Sequence, residues 1–437
     1  MGNSTRVALA AISLACLTAH AELDRYTLPN DVRVVLDPFE GADAVSVIAA
    51  YDTGFIDDPG GLAQGAHLAE HLRATGAIDQ FPAGAVLARL NELGSANAET
   101  MADMTYYDYS LPADGLELAL RTEAERLASL RITKGDVARE APRAVGEVDS
   151  LLAQPTRPLA KFALMACVQG WRHDADNARV RTGLDQTDPA ALAPLLNRAR
   201  PANLTLIIAG GFDPAEAKTM IERTIARVDS GNPPPRTPID WNAQPQLRRM
   251  TWDVDARVVV IACPPPDDPL ARAVLTPMGM VTLFGAQRIE GVLSASSSSL
   301  TTPVGATPFY VMAVLDDHAD PDEVTTRLHK LLDNAASRAA LYRSQIGFTL
   351  KPPPDQTPET LRAQAKTLAT QRHWTEPTAL GVVLGNVALQ RHLRERVADQ
   401  DMLDRIDALS ADEFGTIVSD ALARANRRVV ILEPAPD

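Results

Sequence analysis

Two histidines four residues apart, with a glutamate between them, form the most chemically loaded stretch of the chain. They lie in residues 61–76 (GLAQGAHLAEHLRATG) as His67-Leu68-Ala69-Glu70-His71. The stretch is rich in Ala and Leu and free of proline, which predicts a helix from about residue 62 to residue 73. Residues four apart on a helix lie one above the other, so His67 and His71 can grip a single ion while Glu70 flanks them on the same face. Two imidazoles suit zinc, and a carboxylate beside them can take a proton from water activated at that ion. The pattern is H-x-x-E-H, the inverted form of H-E-x-x-H.

A catalytic zinc ordinarily has three protein ligands and one open position, so a third donor has to come from elsewhere. The helical pattern over residues 134–152 offers Glu140 and Glu147, seven residues and two turns apart, on nearly one face. Glu147 is assigned as the third ligand. Glu140 is assigned the supporting role of orienting a ligand or tuning its basicity. Pro142 stands between them and should either kink the helix or open a new one that carries Glu147.

These helices need a scaffold, and the rest of the chain supplies strand-like runs. Residues 32–36, 44–51 and 204–209 in the first half, and 257–262, 309–315 and 428–432 in the second, are short and rich in β-branched residues. Long helical patterns separate them without a regular βαβ alternation, which predicts an α+β fold. The stretch DSGNPPPRTPIDWNAQPQ at 229–246 has three successive prolines and reads as a linker. The expected division is 1–21 signal peptide, 22–230 metal-bearing domain, 231–246 linker and 247–437 second domain. A chain of 437 residues suits two domains of that size.

Composition narrows the partners. A net charge of -14 and a pI near 5.1 argue against nucleic acid and anionic membrane, which need a basic footprint. Arg6, the apolar stretch 7–19 and Ala19-His20-Ala21 have the parts of a secretory signal, with cleavage after Ala21 and a periplasmic or secreted location. No membrane span is expected. Removing that peptide removes Cys16 and leaves Cys167 and Cys263, which form no C-x-x-C pattern.

With these residues in view, the sequence resembles the pitrilysin/insulinase (M16) family of zinc metallopeptidases, in particular its small, processing-peptidase-like members. The resemblance covers most of the mature chain. It implies two related α+β domains facing across a cleft, one Zn2+, and Glu70 as general base with His67, His71 and Glu147 as ligands. Its spacing favours Glu147 over Glu140. It is also carried by Asn97-Ala98-Glu99-Thr100-Met101-Ala102-Asp103-Met104-Thr105-Tyr106-Tyr107, similar to a family motif on an edge strand that pairs with substrate backbone. Asn97, Ala98, Thr100 and Tyr107 are the substrate-binding residues it implies. Residues 200–204 and 211–214 resemble the strand and helix start that close the family's first domain.

The second half departs from the pattern. Where the family often carries Arg and Tyr near R-G-L-A-Y-S, this chain reads Arg288-Ile289-Glu290-Gly291-Val292-Leu293-Ser294-Ala295-Ser296, without the Tyr. The resemblance therefore implies a zinc-dependent endopeptidase acting on extended peptides, working as a homo- or heterodimer with a related chain. The alternative is a non-catalytic peptide-binding or scaffold subunit. The N-terminal pattern gives a first expected outcome: protein recovered from the producing cell begins at Glu22. N-terminal sequencing checks this, and an intact Met1 or a lipid on Cys16 contradicts it.

Overall fold

Apolar runs with almost no polar alternation must be covered on both faces. The runs Ala44–Tyr51, Leu204–Gly210, Val258–Cys263 and Phe309–Leu315 are of this kind, and every residue in each is buried. In the computed structural model, which describes residues 23–153, 159–181, 184, 187–298, 308–343 and 357–436, they are central strands of two sheets. The expected signal peptide, its expected cleavage after Ala21, and Cys16 lie outside the described residues.

The first sheet contains β1 (Asp24–Thr27), β2 (Arg33–Pro38), β3 (Ala44–Tyr51), β4 (Ser95–Thr100), β5 (Thr105–Pro112) and β7 (Leu204–Gly210). The second contains β6 (Asn177–Ala178), β8 (Leu247–Trp252), β9 (Val258–Cys263), β10 (Val292–Ser297), β11 (Phe309–Leu315) and β12 (Arg428–Pro434). Their orders are β1-β2-β7-β3-β5-β4 and, read from the opposite edge, β6-β8-β12-β9-β11-β10. In both sheets the second and third strands run parallel, and the pairs beyond them run antiparallel. Strands β2, β3, β4, β5 and β7 thus recur as β8, β9, β10, β11 and β12, in the same chain order and the same sheet order. The fold is α+β with two related halves.

Helices of the first half are α1 (Gly65–Thr75), α2 (Ala85–Leu93), α3 (Leu116–Ser129), α4 (Lys134–Leu152), α5 (Leu159–His173), α6 (Pro189–Leu196) and α7 (Pro214–Arg223). The second half has α8 (Pro269–Leu275), α9 (Met278–Ala286), α10 (Pro321–Ser337), α11 (Pro358–Arg372), α12 (Glu376–Val397), α13 (Gln400–Ala408) and α14 (Ala411–Ala421). The halves exchange covers. Leu380, Leu384 and Ala388 of α12 bury Ile48, Ala50 and Ile207 of the first sheet. Phe162, Ala163 and Met165 of α5 join Val258, Val260 and Met312 of the second. The other face of the first sheet packs on α2, α3 and α7 through Val86, Leu90, Leu120 and Ile221.

The segment Pro269–Ala286 has a mean hydropathy of 1.2 over 18 residues, enough by composition to cross a membrane. It is broken between Leu275 and Met278 into α8 and α9, of seven and nine residues. Each falls short of the ~20 residues a span requires. Residues 231–246 carry no helix or strand. Arg236 within them donates to both carboxylate oxygens of Asp57 at 2.8 Å and to the Asp103 carbonyl at 3.0 Å, which straps this segment against the first half.

The cover by α12 depends on two small residues one turn apart. A Cβ at Gly385 would lie 2.2 Å from Ser46 Oγ and 2.9 Å from Ser46 Cβ, and one at Gly381 would lie 3.0 Å from Ser110 Cβ. Gly385→Val should lift α12 from the sheet and destabilise the fold by ~1–3 kcal/mol, the usual range for overpacking. A guanidinium midpoint equal to that of the parent would contradict this.

Candidate metal centre

The helix that carries the two histidines begins three residues later than its composition suggests. Gly61 (φ 80°) and Gln64 (φ 64°) are both left-handed, and Gln64 caps α1 without a side-chain bond. The orphan amides of the first turn go instead to Asp58. Its Oδ1 accepts from Ala66 N at 2.6 Å, and the amides of Gln64 and Gly65 also bond its carboxylate. Asp58 is buried, and burial pushes its carboxyl well above the usual range against the pull of those amides. Its oxygens thus satisfy amides that a helix N-terminus leaves without intrahelical partners. Asp58 was not apparent from the sequence as part of the site.

Three donor atoms converge. His67 Nε2 and His71 Nε2 are 3.2 Å apart, and Glu147 Oε2 lies 3.3 Å from the first and 3.5 Å from the second. An ion held tetrahedrally by ligands at ~2.0–2.1 Å keeps their donor atoms about 3.3–3.4 Å apart. The observed separations match that requirement on all three edges, so the residues fit one zinc ion. Among the described residues, His67, His71 and Glu147 are the group of metal-binding type. The imidazoles are largely covered, whereas the Glu147 side chain is 58% exposed, so the group is open on the carboxylate side. Hydrogen bonds from His67 and His71 hold Glu147 well below the ordinary carboxylate range. For His71, burial acts downward, but the Glu147 hydrogen bond and the charges of Glu147, Glu70 and Glu140 outweigh it and raise the imidazole.

Glu147 and Glu140 both come from α4, whose start is fixed by a reciprocal cap between Thr133 and Asp136. Lys134–Leu152 is one helix with Pro142 inside it, so no new helix starts at the proline. Glu140 Oε2 stands 3.6 Å from His71 Nδ1, behind the ring and away from the donor edge. It is buried and held by Arg139 Nε at 2.9 Å and Arg143 at 3.1 Å, with the Thr75 hydroxyl also contributing. Despite the opposing effect of burial, these bonds keep Glu140 below the usual range.

Glu70 lies on the same helix face but is not one of the three donors. It is 8% exposed, and the Thr100 hydroxyl donates to its Oε2 at 2.6 Å. Burial raises its carboxyl above the usual range, against the pull of His67, the Thr100 bond and His71.

The segment 97–107 is not a single edge strand. It folds as a hairpin, with β4 ending at Thr100 and β5 starting at Thr105. β4 ends the sheet order and pairs only with β5 among the described residues, so its outer edge is open at Asn97 and Ala98. Asn97 also bonds Asp108 across the hairpin. Tyr107 is different. It sits on β5, one strand in from the edge, and is 3% exposed with its ring edge-on to Tyr51. Its side chain packs within the sheet and lines a small cavity beside Glu70. Thr100 is also buried, with its hydroxyl bonded to Glu70. Asn97, Ala98, Thr100 and Tyr107 are thus split between an open edge and a buried support.

No protein-family model and no curated protein matches the sequence. Solved structures do match in fold. A protease from Helicobacter pylori aligns at 13% identity over 94% of this chain and 99% of that one, with a TM-score of 0.63. An inactive M16 peptidase domain from Pseudomonas fluorescens aligns at 11% identity over 95% and 98%, with a TM-score of 0.60. The periplasmic protease PqqL from Escherichia coli aligns at 15% identity over 95% of this chain and 48% of its own, with a TM-score of 0.58. The chain has the M16 peptidase fold, and it spans the whole of the first two structures and about half the length of the third.

The assignment of the third ligand can be tested by metal content. Glu147→Ala should lose zinc, weakening affinity by at least tenfold, whereas Glu140→Ala should retain one ion bound less tightly. A full site in the Glu147 variant with an empty one in the Glu140 variant would reverse the two roles.

Proposed function

We propose that this chain is a zinc-dependent endopeptidase that hydrolyses extended peptides or unfolded segments. The observation that carries this reading is the triangle of donors at 3.2, 3.3 and 3.5 Å beside a buried carboxylate that is not a donor. Bound zinc supplies polarisation of the scissile carbonyl and lowers the pKa of water toward about 7. The chain's residues supply the rest. Thr100 fixes one oxygen of Glu70, leaving the other to take the proton of the attacking water and pass it to the leaving amine. Burial makes Glu70 a stronger base than an exposed carboxylate. The open edge of β4 at Asn97 and Ala98 receives the substrate as an added strand, which tolerates varied sequences because main-chain bonds ignore side chains.

Two further parts belong to this reading. The domains 22–230 and 247–437 face each other across the substrate cleft, and a related chain pairs with this one. The pairing is supported by PqqL, whose single chain is about twice as long as the part this chain matches. Export to the periplasm is supported by the N-terminal pattern and by the periplasmic location that the description of PqqL gives for it.

A second reading, a non-catalytic peptide-binding or scaffold subunit, is favoured by the likeness to an inactive domain and by the lack of a Tyr in residues 288–296. One experiment separates the two. The purified chain should hold one zinc and cleave an unstructured peptide, and a chelator should abolish the cleavage. Glu70→Gln should keep the zinc and lose turnover by ~10²–10⁴-fold. A parent that binds zinc yet cleaves no peptide, alone or with a related chain, would favour the scaffold.

A further inference from the structure

We infer that the buried cluster Arg73–Glu123–Arg126 is a positioning device that sets the orientation of the metal helix, with Glu123 of α3 as its fixed point. The inference rests on the zinc reading of the site and adds residues to which that reading assigns no role. Arg73 follows His71 by two residues, about 200° around the helix, so it points away from the donors and into the sheet. There it donates to Glu123 Oε1 at 2.6 Å and to the Tyr51 hydroxyl at 2.6 Å, with its guanidinium 4.5 Å from the Tyr51 ring centre. Glu123 also accepts from the hydroxyls of Tyr51 and Tyr109. Arg126, one turn further along α3, lies 3.6 Å from Glu123 and donates to the Ala74 carbonyl of α1 at 2.9 Å. All three charged residues are at most 3% exposed.

Magnitudes explain why an ion cluster stands here rather than another leucine. An atom ~6 Å from a helix axis moves about 1 Å when the helix turns by roughly 10°. Metal ligation tolerates only about ±0.2 Å. Apolar packing is non-directional and allows small rotations, whereas the arginine fork is met in one orientation. Beside α1 lies only a small, partly open cavity of about 20 Å³, lined by Tyr51, Glu70, Arg73, Tyr107, Leu195 and Ala199. Burying these charges adds little net stability, since an apolar replacement of a buried ion triad is often neutral or better. What the cluster supplies is direction.

That separation of stability from geometry gives the test. The triple variant Arg73→Met/Glu123→Leu/Arg126→Met removes all three charges at once, so none is left buried without a partner. It should stay folded by circular dichroism and guanidinium unfolding. Its zinc affinity, measured by chelator competition, should fall ~10–100-fold, the range seen when supports of ligands are removed. The visible absorption of its cobalt-substituted form should weaken and broaden. Arg73→Lys keeps the charge but loses the fork, and should show a smaller loss of affinity with the fold intact. Unchanged affinity and cobalt spectrum in the folded triple variant overturn the inference, as does unchanged affinity in Arg73→Lys if the triple variant does not fold. A parent chain that binds neither zinc nor cobalt overturns the zinc reading instead.

Discussion

Bringing three donor atoms from two helices to one point constrains this molecule more than any other contact. His67 and His71 come from α1 and Glu147 from α4, 80 residues further along the chain. Neither helix alone can set the 3.3 Å and 3.5 Å separations between Glu147 and the imidazoles. Both must therefore be held in rotation as well as position. Asp58 takes the amides at the start of α1, and Arg126 takes a carbonyl at its end. A reciprocal Thr133–Asp136 cap fixes the start of α4. Glu140 couples the two helices, since it is anchored by arginines of α4 and stands against the ring of His71.

The electrostatics of the site grade from open to closed. Glu147 is exposed and lies where an incoming group can reach the donors, while Glu70 is buried and bonded by Thr100. Thr100 ends β4, the strand whose free edge is assigned to substrate. The open edge and the hydroxyl that bonds Glu70 thus belong to one strand. In the proposed reading, positioning of that kind would make hydrolysis effectively intramolecular. The turn at residues 101–104 places Thr100 and Thr105 opposite each other and sends Tyr107 into the sheet.

Periodicity and motif spacing made much of this visible in the sequence. The runs at 44–51, 204–209, 257–262 and 309–315 are strands because their unbroken apolarity fits only a buried sheet. The α4 pattern at 134–152 is a helix over that same range. What stayed hidden depends on long-range partners. Asp58 is an ordinary loop acid until α1 presents its amides, and Arg73 looks like a solvated helix residue until Glu123 is found 50 residues later. The hairpin within 97–107 was also missed, because its turn Met101-Ala102-Asp103-Met104 carries no Gly or Pro to announce it.

The two related halves differ in what they carry between equivalent strands. Between β3 and β4 the chain carries the metal helix α1. Between β9 and β10, the equivalent connection carries α8 and α9, and residues 269–286 contain no His, Cys, Asp or Glu. Among the described residues, the grouped donors lie in the first half. Yet the halves are not separable, because α12 of the second half closes the sheet that supports the site and α5 of the first half closes the other. Glycines at 381 and 385 seat α12 against Ser46 and Ser110, on the strands that continue to Tyr51 and Tyr109 of the Glu123 cluster. The second half therefore still shapes the candidate metal site, through the sheet against which α1 is oriented.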